Sequence, residues 1–305
     1  MKPKSLLIYL LLFSDPKIQK ALVAAHERGV TVEVKVAPSA KIDLLHKAGI
    51  TVEVIPGLHA KMIITDKSVL IGSDNLSCVS AARETELLLQ TEKEQEPKHY
   101  QKAVERFRGI GRSPRRRRAT PKKGTPRQAT VKRGHTGEKA DRFQRLVSDP
   151  SSENRVDVGS MTFDSDRIVS QVEQVYAQSP SDQRPFMRFF LDRSALKHLG
   201  LLDRLKQAGG DDLEIYIFNA QGTEKIWGKF TDIMHKKYIA RKIVNADGTE
   251  QKYVIISTGN LADRSDLDIN FDSHHSGDSA LYDDLIARGD DYAASPVWTK
   301  YQPSQ

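Results

Sequence analysis

The sequence predicts an α/β protein made of two pseudo-symmetric halves. Three observations predict it. Apolar runs of strand length alternate with segments of helical period, first over residues 5–107 and again over 155–260. Each stretch contains a hairpin that opens with H-x-K, at His59-Ala60-Lys61 and at His235-Lys236-Lys237. Between the two lies a segment of different composition, rich in Arg, Lys, Pro, Gly and Thr. The boundaries that follow are 1–107 for the first half, 108–150 for a basic disordered linker, 151–298 for the second half and 299–305 for a tail.

The elements justify themselves in order. Met1–Lys4 followed by the apolar run Ser5–Phe13 has the basic and apolar regions of a secretory signal. No small-x-small cleavage site follows, and the run passes straight into Ser14-Asp15-Pro16, so it reads as a buried strand feeding a helix. A cytoplasmic or otherwise soluble location is expected, since no apolar run reaches membrane-spanning length. Asp15 is a good N-cap with Pro16 at the first helical position; Ile18, Leu22 and Ala25 form the apolar face and Gly29 closes the helix. Val30–Val36 alternates as a strand, Ala40–Ala48 reads as a short helix ending at Gly49, and Thr51–Ile55 is the next strand. Met62–Thr65 and Ser68–Ile71 flank Asp66-Lys67 as a hairpin. Arg83–Leu89 reads as a strand entered through acidic residues, and His99–Phe107 as an amphipathic helix.

Composition changes abruptly after Phe107. From Arg106 to Lys139 there are thirteen Lys and Arg against one acid, including the run Arg115–Arg118. Subtracting this arm's +12 from the chain's formal +7 leaves the folded parts near −5, so the basicity lives in the arm. Such an arm suits a polyanion, either nucleic acid or an anionic lipid surface; a solubilising spacer is the plainer alternative.

The second half repeats the plan. Arg155–Phe163 is strand-like, Ile168–Ala177 has helical spacing, Phe186–Leu191 is a strand, Leu196–Ala208 a helix closed by Gly209-Gly210, and Leu213–Phe218 a strand. The second H-x-K then opens a longer hairpin, Tyr238–Val244 and Lys252–Ser257, turned by Asn245–Gly248. On this count the halves are unequal at their starts. Residues 155–180 supply a strand and helix to which nothing before Lys4 corresponds, so the first half is expected to lack that pair.

His59 and Lys61, two residues apart, leave the same face of a strand. The hairpin returns Gly72-Ser73 and Asn75 beside them, gathering an imidazole, an ammonium, a hydroxyl and a carboxamide around one point. A phosphate suits that point. In the second half Thr258 and Asn260 take the places of Ser73 and Asn75, while Lys242 stands where Asp66 does. The other histidines lack such company, and His274-His275 reads as a surface loop rather than a metal site. The single cysteine, Cys78, excludes an internal disulfide framework and a Cys-based zinc site.

The spacing H-x-K-x4-D-x5-G-S-x-N over His59–Asn75 resembles the signature of the phospholipase D superfamily, with every position filled. The second motif departs from it by lacking the Asp. Tyrosyl-DNA phosphodiesterases also lack it, and polyphosphate kinases have a hairpin end similar to Tyr253–Asn260. The resemblance implies two pseudo-symmetric α/β/α halves sharing one active site at their interface, and a metal-independent, cofactor-free phosphodiesterase acting through a phosphohistidine. It assigns His59, Lys61, Asp66, His235 and Lys237 to the catalytic set, with His59 as nucleophile and His235 as acid and then base, the reverse remaining open. Ser73, Asn75, Thr258 and Asn260 would bind phosphate, Asp66 would brace the hairpin, and Glu86 would support the nucleophilic His. A nuclease-type substrate is preferred on account of the arm. A phospholipase D acting on lipid head groups, a binding module with lost activity and a polyphosphate phosphotransferase are the alternatives.

Overall fold

The computed structural model describes residues 5–10, 13–38, 40, 42–72, 88–109, 153–219, 225–226, 229–230, 236–245, 247–257, 260–262, 272–276 and 279–303. The first half runs β1 (Ser5–Leu10), α1 (Pro16–Glu27), β2 (Thr31–Val36), α2 (Asp43–Lys47), β3 (Thr51–Val54), β4 (Met62–Thr65), β5 (Ser68–Gly72), β6 (Leu88–Glu92) and α3 (Pro97–Gly109). The second runs β7 (Glu153–Ser160), α4 (Asp166–Gln178), β8 (Phe186–Asp192), α5 (Leu199–Gly209) and β9 (Leu213–Phe218). A separate two-stranded ribbon follows, β10 (Lys225–Ile226) with β11 (Lys229–Phe230). Then come β12 (Tyr238–Val244), β13 (Glu250–Ser257), β14 (Asp272–Ser276), α6 (Ser279–Ala294) and β15 (Trp298–Lys300).

The two main sheets have the orders β3-β2-β1-β4-β5-β6 and β14-β13-β12-β7-β8-β9-β15. In each, three strands are parallel and the hairpin adds antiparallel strands to the far side of the first one. Strand for strand, β1 to β6 therefore match β7, β8, β9, β12, β13 and β14. This corrects the expectation of unequal starts. Ser5–Leu10 is the counterpart of Glu153–Ser160, not of the Phe186 strand, and α1 is the counterpart of α4. The miscount came from reading strand and helix periods without the pairing that ranks them.

Local chemistry sets the elements. The Asp15 carboxylate accepts from the backbone N–H of Lys17 at 2.7 Å and of Ile18 at 3.4 Å, and Pro16 opens α1 with its ring-fixed φ. Gly29 and Gly49 end α1 and α2 at φ of 83° and 74°, which side chains with a Cβ rarely adopt. α2 is only Asp43–Lys47, shorter than the sequence suggests. The predicted Leu196–Ala208 helix splits into a 3-10 turn, Arg193–His198, and α5. The Asp192 side chain accepts from Ser194 N at 2.9 Å and draws the chain into that turn first. The strand expected at Arg83–Leu89 is found at Leu88–Glu92, residues 83–87 lying outside those described. His274 and His275 belong to β14, paired with Ile255 and Val254, and not to a loop.

Each half is an α/β/α sandwich. In the first, Ile8, Val32, Val34 and Val36 pack against Leu22 and Leu45 on one face, while Met62, Ile64, Val69 and Ile71 pack against Ala103, Val104 and Phe107 of α3 on the other. In the second, Val156, Val158 and Phe189 meet Ile168, Val172, Leu202 and Leu205 of α4 and α5. Phe190, Tyr238, Val254 and Ile256 meet Tyr282 and Leu285 of α6. No described helix is long and apolar enough to cross a membrane.

The α6 face carries an internal ion pair. Arg188 Nε donates to Asp157 Oδ1 at 2.9 Å, a second guanidinium nitrogen reaches Asp157 Oδ2, and Arg188 also bonds Asp290 at 2.7 Å. Gly289 lets α6 come down on this pair: a Cβ there would lie 2.6 Å from Asp157 Oδ2 and 2.7 Å from an Arg188 nitrogen. Gly289→Ala is therefore expected to destabilise the chain by about 1–3 kcal/mol in urea unfolding. Gly200→Ala, whose added Cβ meets nothing within 4 Å, is expected to be neutral or to stabilise by less than about 1 kcal/mol.

Candidate active site

Lys61 and Lys237, the lysines of the two H-x-K motifs, stand just before the first strand of their hairpins, at the carboxyl end of the parallel strands. Met62 pairs with Tyr9 near the end of β1, and Tyr238 pairs with Gly159 near the end of β7. This is the edge at which open α/β sheets hold ligands. Leu58 and Ala60 are buried in the α3-side core, which turns His59 and Lys61 to the other side of the chain. Lys61 is only 2% exposed. Its ammonium donates to His59 O at 2.8 Å and lies 3.3 Å from His59 Nδ1. An ammonium has donors only, so this second contact uses a lone pair on Nδ1 and puts a neutral imidazole's proton on Nε2.

The second half reproduces the scaffold. Gly72 N donates to Lys61 O at 3.3 Å, and Ser257 N donates to Lys237 O at 2.9 Å. Lys237 is buried like Lys61. The backbone thus equates Lys61 with Lys237 and Gly72 with Ser257. It also carries the chain into Ser73-x-Asn75 in one half and Thr258-x-Asn260 in the other. Asn260 is buried, and its side-chain oxygen accepts from Thr162 N at 3.3 Å. Next to it, Leu261 N donates to Ser160 Oγ at 3.0 Å and Leu261 bridges Phe163. The Asn260 turn is therefore stapled to the end of β7. The halves approach through these same hairpins: β5 and β13 bring Cα atoms within 8 Å of each other.

Asp66 stands apart. It occupies the hairpin turn, five residues along the strand from Lys61, or about 16 Å at ~3.3 Å per residue. Its Oδ1 is buried without a hydrogen-bond partner among the described residues. Beside the turn, Tyr100 Oη donates to Thr65 O at 2.8 Å; burial pushes the Tyr100 hydroxyl pKa up and the Asp66 carboxylate adds to that. Asp66 thus lies in the hairpin turn that the sequence predicts, away from His59. In the second half the strand does not turn at this point. Lys242 sits inside β12, paired across the hairpin with Lys252 and within 3.6 Å of Glu250. An Asp has no turn to occupy there.

Of the residues singled out from the sequence, His59, Lys61, Asp66, Lys237 and Asn260 are described. Ser73, Asn75, Glu86, His235, Thr258 and the bulk of the basic arm (110–152) lie outside the described residues. One contributor was not foreseen. Lys236, the middle residue of the second H-x-K, is buried on the α6 face. Its ammonium reaches the Tyr292 hydroxyl and lies 5.0 Å from that ring's centroid. Tyr292 stacks on Trp298 at 4.8 Å, and burial raises its hydroxyl pKa, so it meets the ammonium as a neutral phenol. The first half has Ala60 at this place, so only the run His235-Lys236-Lys237 hinted at it.

Residues 2–108 match the family described as cardiolipin synthase, PLD-like domain. Among solved structures, the phosphatidylserine synthase of Haemophilus influenzae superposes with a TM-score of 0.62 at 11% identity, covering 98% of this chain and 82% of its own. The polyphosphate kinase of Porphyromonas gingivalis gives 0.58 at 13% identity over 93% of this chain; the chain spans 45% of that protein's length. Both likenesses extend over the two halves and are likenesses of fold. The phospholipase D family member Nuc of Salmonella typhimurium is 25% identical over 34% of this chain, with a TM-score of 0.32. No curated protein matches significantly. Asn260→Ala is expected to leave Thr162 N–H without its acceptor and to cost about 1–3 kcal/mol in chemical denaturation.

Proposed function

We propose that the chain, whose residues 2–108 match the PLD-like domain family, is a metal-independent phosphodiesterase of the phospholipase D superfamily working through a phosphohistidine. The observation that carries this reading is the matched pair of buried lysines, Lys61 and Lys237, each held by its own carbonyl to the returning hairpin strand, with β5 and β13 adjacent. In-line displacement at phosphorus needs a nucleophile on one side and a proton donor on the other. Two facing H-x-K motifs supply one histidine to each.

In the first step His59 Nε2 attacks phosphorus and a P–N bond forms. The P–O bond to the leaving group breaks, and His235, as imidazolium, gives that oxygen its proton. In the second step His235 removes a proton from water, the water oxygen bonds phosphorus, and the P–N bond to His59 breaks. An unperturbed imidazole titrates near neutrality, which suits both roles. A phosphate in the site draws the Lys61 ammonium toward its oxygens and off His59 Nδ1, so that Nδ1 can carry the ring proton and Nε2 can attack. Lys237 neutralises the other oxygens, with Ser73, Asn75, Thr258 and Asn260 as hydrogen-bond donors. Asp66 braces the hairpin and Glu86 supports His59.

Nucleic acid is the first substrate reading, supported by the thirteen basic residues of the arm. A phospholipid head group is the second, favoured by apolar side chains exposed along the carboxyl edges of the sheets. The purified chain, in EDTA, is expected to turn over one of labelled single- or double-stranded DNA, RNA or a choline phospholipid. His59→Ala should abolish turnover and the acid-labile phosphoprotein, and His235→Ala should lower turnover by about 10²–10⁴-fold. Turnover that requires an added divalent cation would sink the mechanism. Activity lost only with His59→Ala would make the second motif a support.

A further inference from the structure

Among the described residues, the large apolar side chains that are exposed are not scattered. Of the five among the described residues, Phe186 begins β8, but Val54, Leu196, Leu199 and Val297 all stand at the carboxyl end of a parallel strand. Val54 ends β3, 47% exposed. Leu196 and Leu199, 40% and 47% exposed, lie in the turn after β8 and at the start of α5. Val297, 41% exposed, is held beside the end of β9, where Asn219 N donates to its carbonyl at 2.9 Å. This is the edge that carries Lys61, Lys237 and Asn260.

The Leu196 turn is joined to the site by hydrogen bonds. Ser194 Oγ donates to Met161 O at 3.0 Å, and the next residue, Thr162, donates its N–H to Asn260. Asp192, the acid nearest in the chain, is buried and caps Ser194 N. From 193 to 202 the chain holds Arg193, Lys197 and four leucines without one Asp or Glu. Asp166, across the same edge, is engaged by Arg204 at 2.5 Å. A cationic, leucine-bearing rim contrasts with folded parts whose formal charge is near −5.

We propose that this rim, Leu196 and Leu199 flanked by Arg193 and Lys197, docks the second half onto an anionic lipid interface, with the candidate active site at its edge. Apolar side chains partition into the boundary between head groups and acyl chains while neighbouring cations meet the lipid phosphates. A nucleic acid would use the cations but would gain nothing from two leucines turned to solvent. Docking is a matter of binding and stands apart from the chemistry proposed above; His59→Ala should bind vesicles as the wild type does even where its turnover is gone.

The test is co-sedimentation of the full chain with phosphatidylcholine vesicles, with and without phosphatidylglycerol. It is run at low salt and at about 0.5 M KCl, where attraction through the basic arm is screened. The wild type is expected to keep binding anionic vesicles at the higher salt, and Leu196→Ser/Leu199→Ser to lose about tenfold or more in partitioning. Leu196→Trp should show a blue-shifted emission with anionic vesicles beyond any wild-type change. Equal binding of wild type and double serine variant would overturn the proposal and leave the arm as the sole contact. So would vesicle-free self-association that the serine variant abolishes, or a blue shift of the introduced indole with an oligonucleotide but not with vesicles.

Discussion

Everything at the candidate site hangs on where a hairpin strand comes back. The carbonyl of the lysine in each H-x-K accepts the N–H of the residue that ends the returning strand, Gly72 in one half and Ser257 in the other. That bond extends the register of each hairpin ladder to the site, and register decides which side chains face the site, because a slip of one residue would turn every one of them to the opposite face. It also explains why the lysines can be buried. Lys61 sits at a strand entrance with its ammonium on a backbone carbonyl and beside an imidazole, so the cost of desolvation is met by directed oxygen and nitrogen contacts. The site is thus a property of the backbone first and of the side chains second.

The two halves preserve this bond but differ in what surrounds it. In the second half the strand before the site packs against α6 through ionic and aromatic groups: Asp157 with Arg188, Lys236 with Tyr292, and Tyr292 on Trp298. The corresponding face of the first half is mostly apolar, with Ala60, Met62 and Ile64 against α3 and one buried cation, Lys35, over the Phe107 ring and paired with Glu53. A buried ion pair adds little net stability but is costly to break, so it fixes a unique seat for the helix that an oily interface would leave looser.

Much of the fold was legible in the sequence because its signals are local. Asp15-Pro16, Gly29, Gly49 and the alternation of Val32, Val34 and Val36 each encode their own element. The hairpins were legible for the same reason. What failed depended on pairing or on tertiary packing. The correspondence of β1 with β7 needs the sheet order, which no period reveals. α6 went unread although Leu281, Leu285, Ile286 and Tyr292 keep helical spacing. Gly289 and four aspartates weaken its propensity, and the reason for Gly289 and Asp290, the Asp157–Arg188 pair beneath them, lies more than a hundred residues away in the chain. At the candidate site, spacing alone made Lys61 and Lys237 equivalent, and the backbone gives them equivalent buried positions. The turn at Asp66-Lys67 was legible as well, whereas the contact of Lys236 with Tyr292 was not, because it joins residues 56 apart in the chain.

The unequal hairpins have a practical consequence. β4 and β5 turn after four residues at Asp66-Lys67, whereas β12 and β13 run on to an exposed turn at Asp247–Thr249. The strand ends that form the site are alike, so the extra length in the second half projects only away from it. That turn is closed locally, Asn245 N donating to Thr249 O at 2.9 Å and Thr249 N donating to Asp247 Oδ1 at 2.9 Å. A tip so insulated is a natural point of attachment. A fluorophore, affinity tag or surface tether grafted there would hold the molecule by the end of a β-ribbon and leave the edge that carries Lys237 and Asn260 facing outward.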